Sequence, residues 1–262
     1  METAAYISDE NLVLFWPSLI GVMAIALAHL FAPRFRFLHK PDNIWVPMSA
    51  GIALAYVFMD IFPHLAKSKA NFGYVGVNPI YELLARNIYL VALIGFAVYL
   101  GIVLAEMAFR KDPAAREITF REAPVFIKIE YLSLAAYNFL IGYLIAEQVT
   151  HRAEPAVLFA IAMAVHFAGL DYLARGHFPK VYDDFMRYAS AAAVLAGWVS
   201  GVVVEITNAS LDIWYSFLAG GIIVIAAVYE LPHIHTQRQY WAFVVGAALF
   251  SLLILSIGYI GK

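Results

Sequence analysis

Histidine, carboxylate and amide side chains interrupt the long apolar stretches of this chain. Asn138, His166 and Asp171 lie in the central stretches. Imidazole and carboxylate groups suit Zn²⁺ and similar divalent cations, and an amide oxygen is a weaker ligand. Ionisable groups at membrane depth are costly and usually line a cavity or a pathway. We therefore predict a reduced metal site formed by His166 and Asn138, with Asp171 as an inner station.

Further candidates lie toward the ends of the apolar stretches. Asp60 and His64 are one helical turn apart, so they share a helix face, and Pro63 frees a carbonyl oxygen in the same turn. Asp60 is the predicted outer station. The complete predicted set of metal ligands is His166, Asn138, Asp171, Asp60, His64, Glu205 and Glu230.

Each central candidate also has a structural interpretation. His166 could be a neutral imidazole bonded to a neighbouring carbonyl group, and Asn138 could join two helices, the role that we favour for it. His166 and Asp171 are five residues apart, about 140° around an ideal helix. They are therefore predicted to be successive stations on a path and not ligands of one ion.

The elements that must position these residues are transmembrane helices. The chain is 63% hydrophobic and 14% charged, with a mean hydropathy of +0.76. About 20 apolar residues cross a bilayer as a helix. The sequence thus predicts one integral membrane domain, residues 1–262, an all-α bundle of eight helices at 12–33, 44–65, 84–108, 128–149, 155–175, 187–206, 212–232 and 240–260.

Composition and missing motifs exclude several classes of function. The net charge of −2 does not favour a nucleic-acid partner, and the lack of cysteine excludes thiolate sites. No HExxH or G-x-S-x-G motif indicates an enzyme. No lysine lies in the middle of a predicted helix, as a retinal protein requires, and the two histidines available to a haem, His29 and His166, differ in predicted depth. We predict neither enzymatic activity nor a cofactor.

The distribution of basic residues predicts the orientation. One set of loops holds twelve of the 17 Lys and Arg residues, and the opposite set, with the termini, holds five. Cytoplasmic loops carry the excess of basic residues, so both termini are predicted to face outward.

Small residues at helical spacing predict close helix packing. Ala135, Gly142 and Ala146 share a face with Asn138 in the fourth predicted helix, and Gly197 and Gly201 form a similar stripe in the sixth. Small residues allow helix backbones to approach closely in a membrane.

Two predicted helices end with the same pattern. The segment from Gly51 to Pro63-His64 aligns without a gap with the segment from Gly220 to Pro232-His233. The second and seventh helices must cross the membrane in opposite directions, so the match indicates an inverted repeat of helices 1–3 and 6–8, an architecture of many secondary transporters. Chance similarity of two Pro-His helix ends is the alternative.

Together these features resemble the ZIP family of divalent-metal transporters. The run 137–142 (Tyr-Asn-Phe-Leu-Ile-Gly) is similar to the family's His-Asn-Phe-x-Asp/Glu-Gly motif, and 166–170 (His-Phe-Ala-Gly-Leu) is similar to its His-Glu-x-Pro-Glu motif. The resemblance implies that Asn138 and His166 are metal ligands. Tyr137, Ile141, Phe167 and Leu170 replace family ligands, so the usual two-metal site cannot be built.

The sequence thus predicts a ZIP-like transporter of a divalent cation in the plasma or inner membrane, with zinc as the first candidate. Its predicted partners are the lipid bilayer and the metal ion, and a homodimer is compatible with the sequence. The alternative is a structural, accessory or sensing membrane protein that keeps the ZIP-like fold without transport.

Overall fold

The computed structural model describes residues 9–34, 43–70, 78–149, 153–204 and 207–260, and these ranges contain helices and no strand. We number the longer helical elements of these ranges in chain order. They are α1 (Asp9–Phe31), α2 (45–70), α3 (Pro79–Arg86), α4 (Ile88–Phe109), α5 (Val125–Val149), α6 (Ala153–His177), α7 (179–203), α8 (208–233) and α9 (Gln237–Ile260).

Each of the eight predicted segments falls on one of these helices, and the differences lie at the ends. The third segment was predicted to start at residue 84, but a separate short helix, α3, continues to Arg86, and α4 begins at Ile88. Asn78 caps α3 by accepting a hydrogen bond from the Ile80 amide, and Pro79 takes the first helical position, where no amide donor is needed. The sixth predicted helix, α7, also has a proline at its first helical position and begins at Pro179, eight residues before the predicted start.

Six helices in the described residues are long and apolar enough to cross a membrane. They are Trp45–Lys67, Ile88–Phe109, Val125–Ala146, Pro179–Val203, Ala209–His233 and Gln237–Ser256. Large apolar side chains such as Leu93 and Leu252 are exposed on them, as lipid contact requires. The chain is therefore a multi-pass membrane protein by the length and composition of its helices. The described apolar part of α1, Phe15–Phe31, is shorter, and the count of eight spans stays a prediction.

The chain divides into two compact units. The first unit contains α1, α5, α6 and α7, and the second contains α2, α3, α4, α8 and residues 237–255 of α9. Both units combine helices that are distant in sequence. The prediction of a single domain did not include this division.

In the first unit, α5 and α7 pack through the two predicted stripes of small residues. A Cβ atom at Gly142 would overlap the Val194 carbonyl oxygen, and one at Gly197 would overlap the Phe139 carbonyl oxygen. The predicted close approach is thus confirmed at these glycines. Four residues further along each helix, Gly201 lies beside Tyr143. The contacts advance together on α5 and α7, so the two helices are parallel.

In the second unit, two parallel helix pairs are built alike. In the α2–α9 pair, Gly51 lies against the Phe243 backbone and Gly246 against the Met48 backbone. In the α8–α4 pair, Gly220 lies against the backbone of Ala92 and Phe96, and Gly95 lies against that of Phe217. Glycine lets the backbones approach in both pairs because a side chain on either helix would collide with the other.

Both α2 and α8 contain a π-helical turn directly before the proline near their end. These turns are Val57–Ile61, before Phe62-Pro63, and Ala226–Glu230, before Leu231-Pro232. Proline lacks an amide proton, and its ring collides with the carbonyl group four residues earlier in an α-helix. A wider turn with hydrogen bonds over five residues accommodates both defects. The turns occupy equivalent positions in the Gly51–His64 and Gly220–His233 alignment.

Candidate functional site

A buried hydrogen-bonded network joins three helices of the first unit through His29. The Nδ1 atom of His29 lies 2.7 Å from Asp171 Oδ2, and its Nε2 atom lies 2.6 Å from Asn138 Oδ1. The three side chains are each only 1% exposed. They come from the last turn of α1, the middle of α5 and the second half of α6. We call these three residues the His29 network.

The orientation of the Asn138 amide is fixed by its own helix. Its Nδ2 atom donates to the Leu134 carbonyl oxygen at 2.9 Å. The amide oxygen must therefore be the atom that faces His29, because the reverse orientation would bring two oxygen acceptors together. Asn138 thus presents an acceptor to the imidazole.

Aromatic side chains and α7 enclose the network. The Tyr182 hydroxyl donates to the main-chain oxygen of His29 at 2.9 Å and lies beside the Asp171 carboxyl group. The ring of Phe167 packs against His29, with 4.8 Å between ring centroids, and also contacts the rings of Tyr137 and His166. These groups separate the network from solvent and hold the imidazole in one position.

Close packing of α1 against its neighbours places His29 at this point. Gly21 of α1 lies so close to Ala160 of α6 that a Cβ atom at Gly21 would be 2.7 Å from the Ala160 methyl group. Ser18, about three turns before His29, accepts a 3.0 Å hydrogen bond from Trp198 Nε1 of α7. A small residue and a polar contact thus set both the distance and the register of α1.

The structure connects Asn138 and Asp171 through His29, whereas the sequence prediction paired Asn138 with His166. His166 is also buried, on the same helix as Asp171 and beside Phe167. The bond from Asn138 of α5 to His29 of α1 joins two helices, which agrees with the structural role favoured above for Asn138. Whether His166 is a metal ligand stays a prediction.

In the second unit, polar side chains of α2 and α8 meet at both ends of the two helices. Ser49 Oγ lies 2.9 Å from Oε1 of the fully buried Glu230, and His64 Nε2 lies 3.1 Å from Asp212 Oδ1. Asp60, one turn before His64, is partly buried. These contacts join the start of each helix to the end of the other, so α2 and α8 are antiparallel.

The described residues contain no group of three or more His, Asp or Glu side chains placed to hold a metal ion. The His29 network is not such a group, because the two ring nitrogens of an imidazole point in different directions and cannot bind one ion together. Glu205 lies outside the described residues. The metal-binding roles of the seven predicted ligands stay predictions.

Sequence reasoning missed four residues of these contacts: His29, Tyr182, Asp212 and Ser49. A signal existed for His29, since it is the one ionisable residue in the apolar segment 12–33. Tyr182 was missed because the sixth helix was predicted to start after it. Asp212 and Ser49 stand near helix ends, where a polar residue needs no special explanation.

We compared the chain with models of known protein families and with curated proteins, and neither comparison gives a match. The functional argument therefore depends on the two units and their polar contacts.

Proposed function

We propose that the chain is a ZIP-like membrane transporter with an inverted repeat, and that it carries a divalent metal cation, with zinc as the first candidate. The observation that carries the proposal is the internal repeat of packing in the second unit. Inverted repeats are typical of secondary transporters, in which two related halves alternate in opening a path to each side.

The packing of glycines supports the repeat. Gly51 and Gly220 are equivalent in the sequence alignment, and each lies against a helix backbone of its own pair. The partner helices match in turn, since Gly95 of α4 and Gly246 of α9 make the reciprocal contacts. The antiparallel arrangement of α2 and α8 is the relation expected for an axis in the membrane plane.

The π-helical turns add a polar feature to the repeat. Asp60 lies on the turn of α2 and Glu230 on the turn of α8. Local π-helical turns often occur at functional sites, and a carboxylate inside a membrane helix usually marks a pathway. We propose these two carboxylates as stations for the cation, with both termini outside the plasma or inner membrane.

A non-transporting role is the second candidate, and one observation favours it. Both ring nitrogens of His29 bond within the His29 network, to Asp171 and Asn138. Such buried bonds between helices stabilise helix packing without any cargo.

Transport by purified protein in liposomes tests the proposal. The wild type should move Zn²⁺, Mn²⁺ or Fe²⁺ into vesicles that contain a metal-sensitive dye, and Glu230→Gln should reduce the rate at least tenfold. Glu117→Gln, in an exposed turn between α4 and α5, is the control and should keep the wild-type rate. A folded wild type that moves none of the three ions would contradict the proposal and favour the non-transporting role.

A further inference from the structure

We propose that the start of α5 is a binding site for an anionic phospholipid. Lys128 and Arg121 bind the phosphate of the headgroup, and the acyl chains lie along the exposed side of the same helix. The site uses residues of the first unit alone. It goes beyond the proposed transport function and does not depend on it.

The apolar part of the site is a stripe of exposed side chains on α5. Val125, Ile129, Leu132 and Phe139 are each 36% to 71% exposed. They are separated by three, four or seven residues, so they share one side of the helix. Since α5 is long and apolar enough to cross a membrane, this side faces lipid. From Val125 to Phe139 the stripe is about 21 Å long, more than the roughly 15 Å that one leaflet of the hydrocarbon core occupies.

Lys128 lies at the start of this stripe. It is three residues after Val125 and four before Leu132, so it is next to both on the helix surface. Its side chain is half-buried, and its Nζ atom donates to the Arg121 carbonyl oxygen at 3.0 Å. An ammonium group has three N–H donors. One of them is used by Arg121, so two remain for an acceptor such as a phosphate oxygen.

The turn before α5 is held in place on both sides of Arg121. The ring of Phe120 stacks on that of Phe185 of α7, with 3.7 Å between the ring centroids, and Ala123 is buried. The side chain of Arg121 is exposed between these two anchored residues. An anion bound to the Lys128 ammonium group is therefore within the span of the long Arg121 side chain.

The charges around the turn favour an anionic ligand. Glu122 is the carboxylate next to Arg121, and it accepts hydrogen bonds from the amide and the hydroxyl group of Thr119, at 3.0 and 2.8 Å. Arg121 acts on this carboxylate through its charge. In the part of the chain that the structure describes, neither Arg121 nor Lys128 is in an ion pair with a carboxylate. Two cations thus face one carboxylate, which is already hydrogen-bonded to Thr119.

An anionic phospholipid fits both parts of the site. Its phosphate matches the two cations, and its acyl chains match the stripe that begins beside them. A zwitterionic headgroup also contains a cation, which Lys128 and Arg121 repel. Free phosphate leaves the stripe uncovered. Anionic lipids are enriched in the cytoplasmic leaflet, and this loop is predicted to lie on that side.

Lipid binding to the purified protein in a neutral detergent tests the proposal. Native mass spectrometry and the shift in melting temperature should show tighter binding of phosphatidylglycerol than of phosphatidylcholine. Arg121→Gln and Lys128→Gln should each weaken phosphatidylglycerol binding about fivefold, the contribution of one basic residue near an anionic membrane surface. Lys111→Gln is the matched control, because it removes an exposed charge on the same predicted side, and it should bind like the wild type.

The Arg121 variant decides the outcome if Lys128→Gln is destabilised, because Arg121→Gln keeps the main-chain oxygen that Lys128 contacts. Binding by Arg121→Gln as tight as that of the wild type would overturn the proposal. Equal weakening by all three variants would also overturn it, since this would show only a general attraction between charges. Inorganic phosphate should not displace the lipid, and displacement would mean that the site takes a free anion instead.

Discussion

The imidazole of His29 uses both ring nitrogens, and this restricts what its neighbours can be. Asn138 meets the requirement at Nε2 because its own amide nitrogen is bonded to the Leu134 carbonyl group. Each side chain in the network thus depends on the orientation of the next. A buried polar group that loses its partner costs far more than an exposed one, since no water replaces the bond.

Replacing Asn138 should therefore destabilise the protein in proportion to what it leaves unpaired. Asn138→Leu keeps the size of the side chain but leaves the Nε2–H group of His29 without an acceptor, at a cost of about 1–3 kcal/mol in the free energy of unfolding. Asn87→Leu is a matched control, because Asn87 also donates to the carbonyl group four residues earlier but is exposed. Its effect should be smaller, because water can replace the hydrogen bond of an exposed amide.

Denaturant unfolding of the purified variants in one detergent checks this prediction. Equal effects of the two leucine variants would mean that Asn138 is important only for its own helix and not for His29.

The partial prediction of the site has a physical reason at this scale. Asn138 and Asp171 were predicted because they are polar residues in apolar helices. Their common partner could not be predicted, because the contact with His29 depends on how α1 packs, and no spacing within one helix contains that information. The resemblance to the ZIP family directed attention to His166, which lies on the same helix as Asp171.

At the scale of elements, hydropathy located the helices and glycine spacing indicated which faces approach closely. Proline and asparagine set the ends that were missed, at Pro179 and at Asn78-Pro79. The π-helical turns could not be predicted from hydropathy, because an apolar run has the same composition in either form. The two Pro-His sequences were visible signals of them in retrospect.

The glycine contacts make a sharp prediction about packing. Gly197→Ala would place a methyl group onto the Phe139 carbonyl oxygen, so α5 and α7 must separate, at a cost of about 1–3 kcal/mol. Gly101→Ala in α4 meets no atom within 4 Å. It should leave stability unchanged or raise it by up to about 1 kcal/mol, because alanine favours the helix.

Unfolding of the two alanine variants under the same conditions gives the comparison. A Gly197→Ala protein as stable as Gly101→Ala would show that α5 and α7 do not make this backbone contact in the membrane.

At the scale of the whole molecule, the chain builds its two compact units from helices that are far apart in sequence. α2 and α4 pair with α9 and α8, which follow more than 90 residues later. Hydropathy contains no information on such pairing. The repeated Gly…Pro-His pattern did contain some, since it relates the two helices that meet at Ser49–Glu230 and His64–Asp212.

The orientation of the molecule in the membrane can be tested with cysteines, because the chain has none of its own. Ala66, near the end of α2, and Ala114, in the turn between α4 and α5, are both exposed. They lie in two successive predicted loops, 66–83 and 109–127, which are predicted to be on opposite sides of the membrane. The excess of Lys and Arg beside Ala114 predicts that it faces the cytoplasm, since basic loops are retained on that side.

In intact cells, a membrane-impermeant thiol reagent should therefore label Ala66→Cys and not Ala114→Cys, and both should be labelled after permeabilisation. The wild type should remain unlabelled throughout. Labelling of Ala114→Cys alone in intact cells would reverse the orientation and place both termini inside.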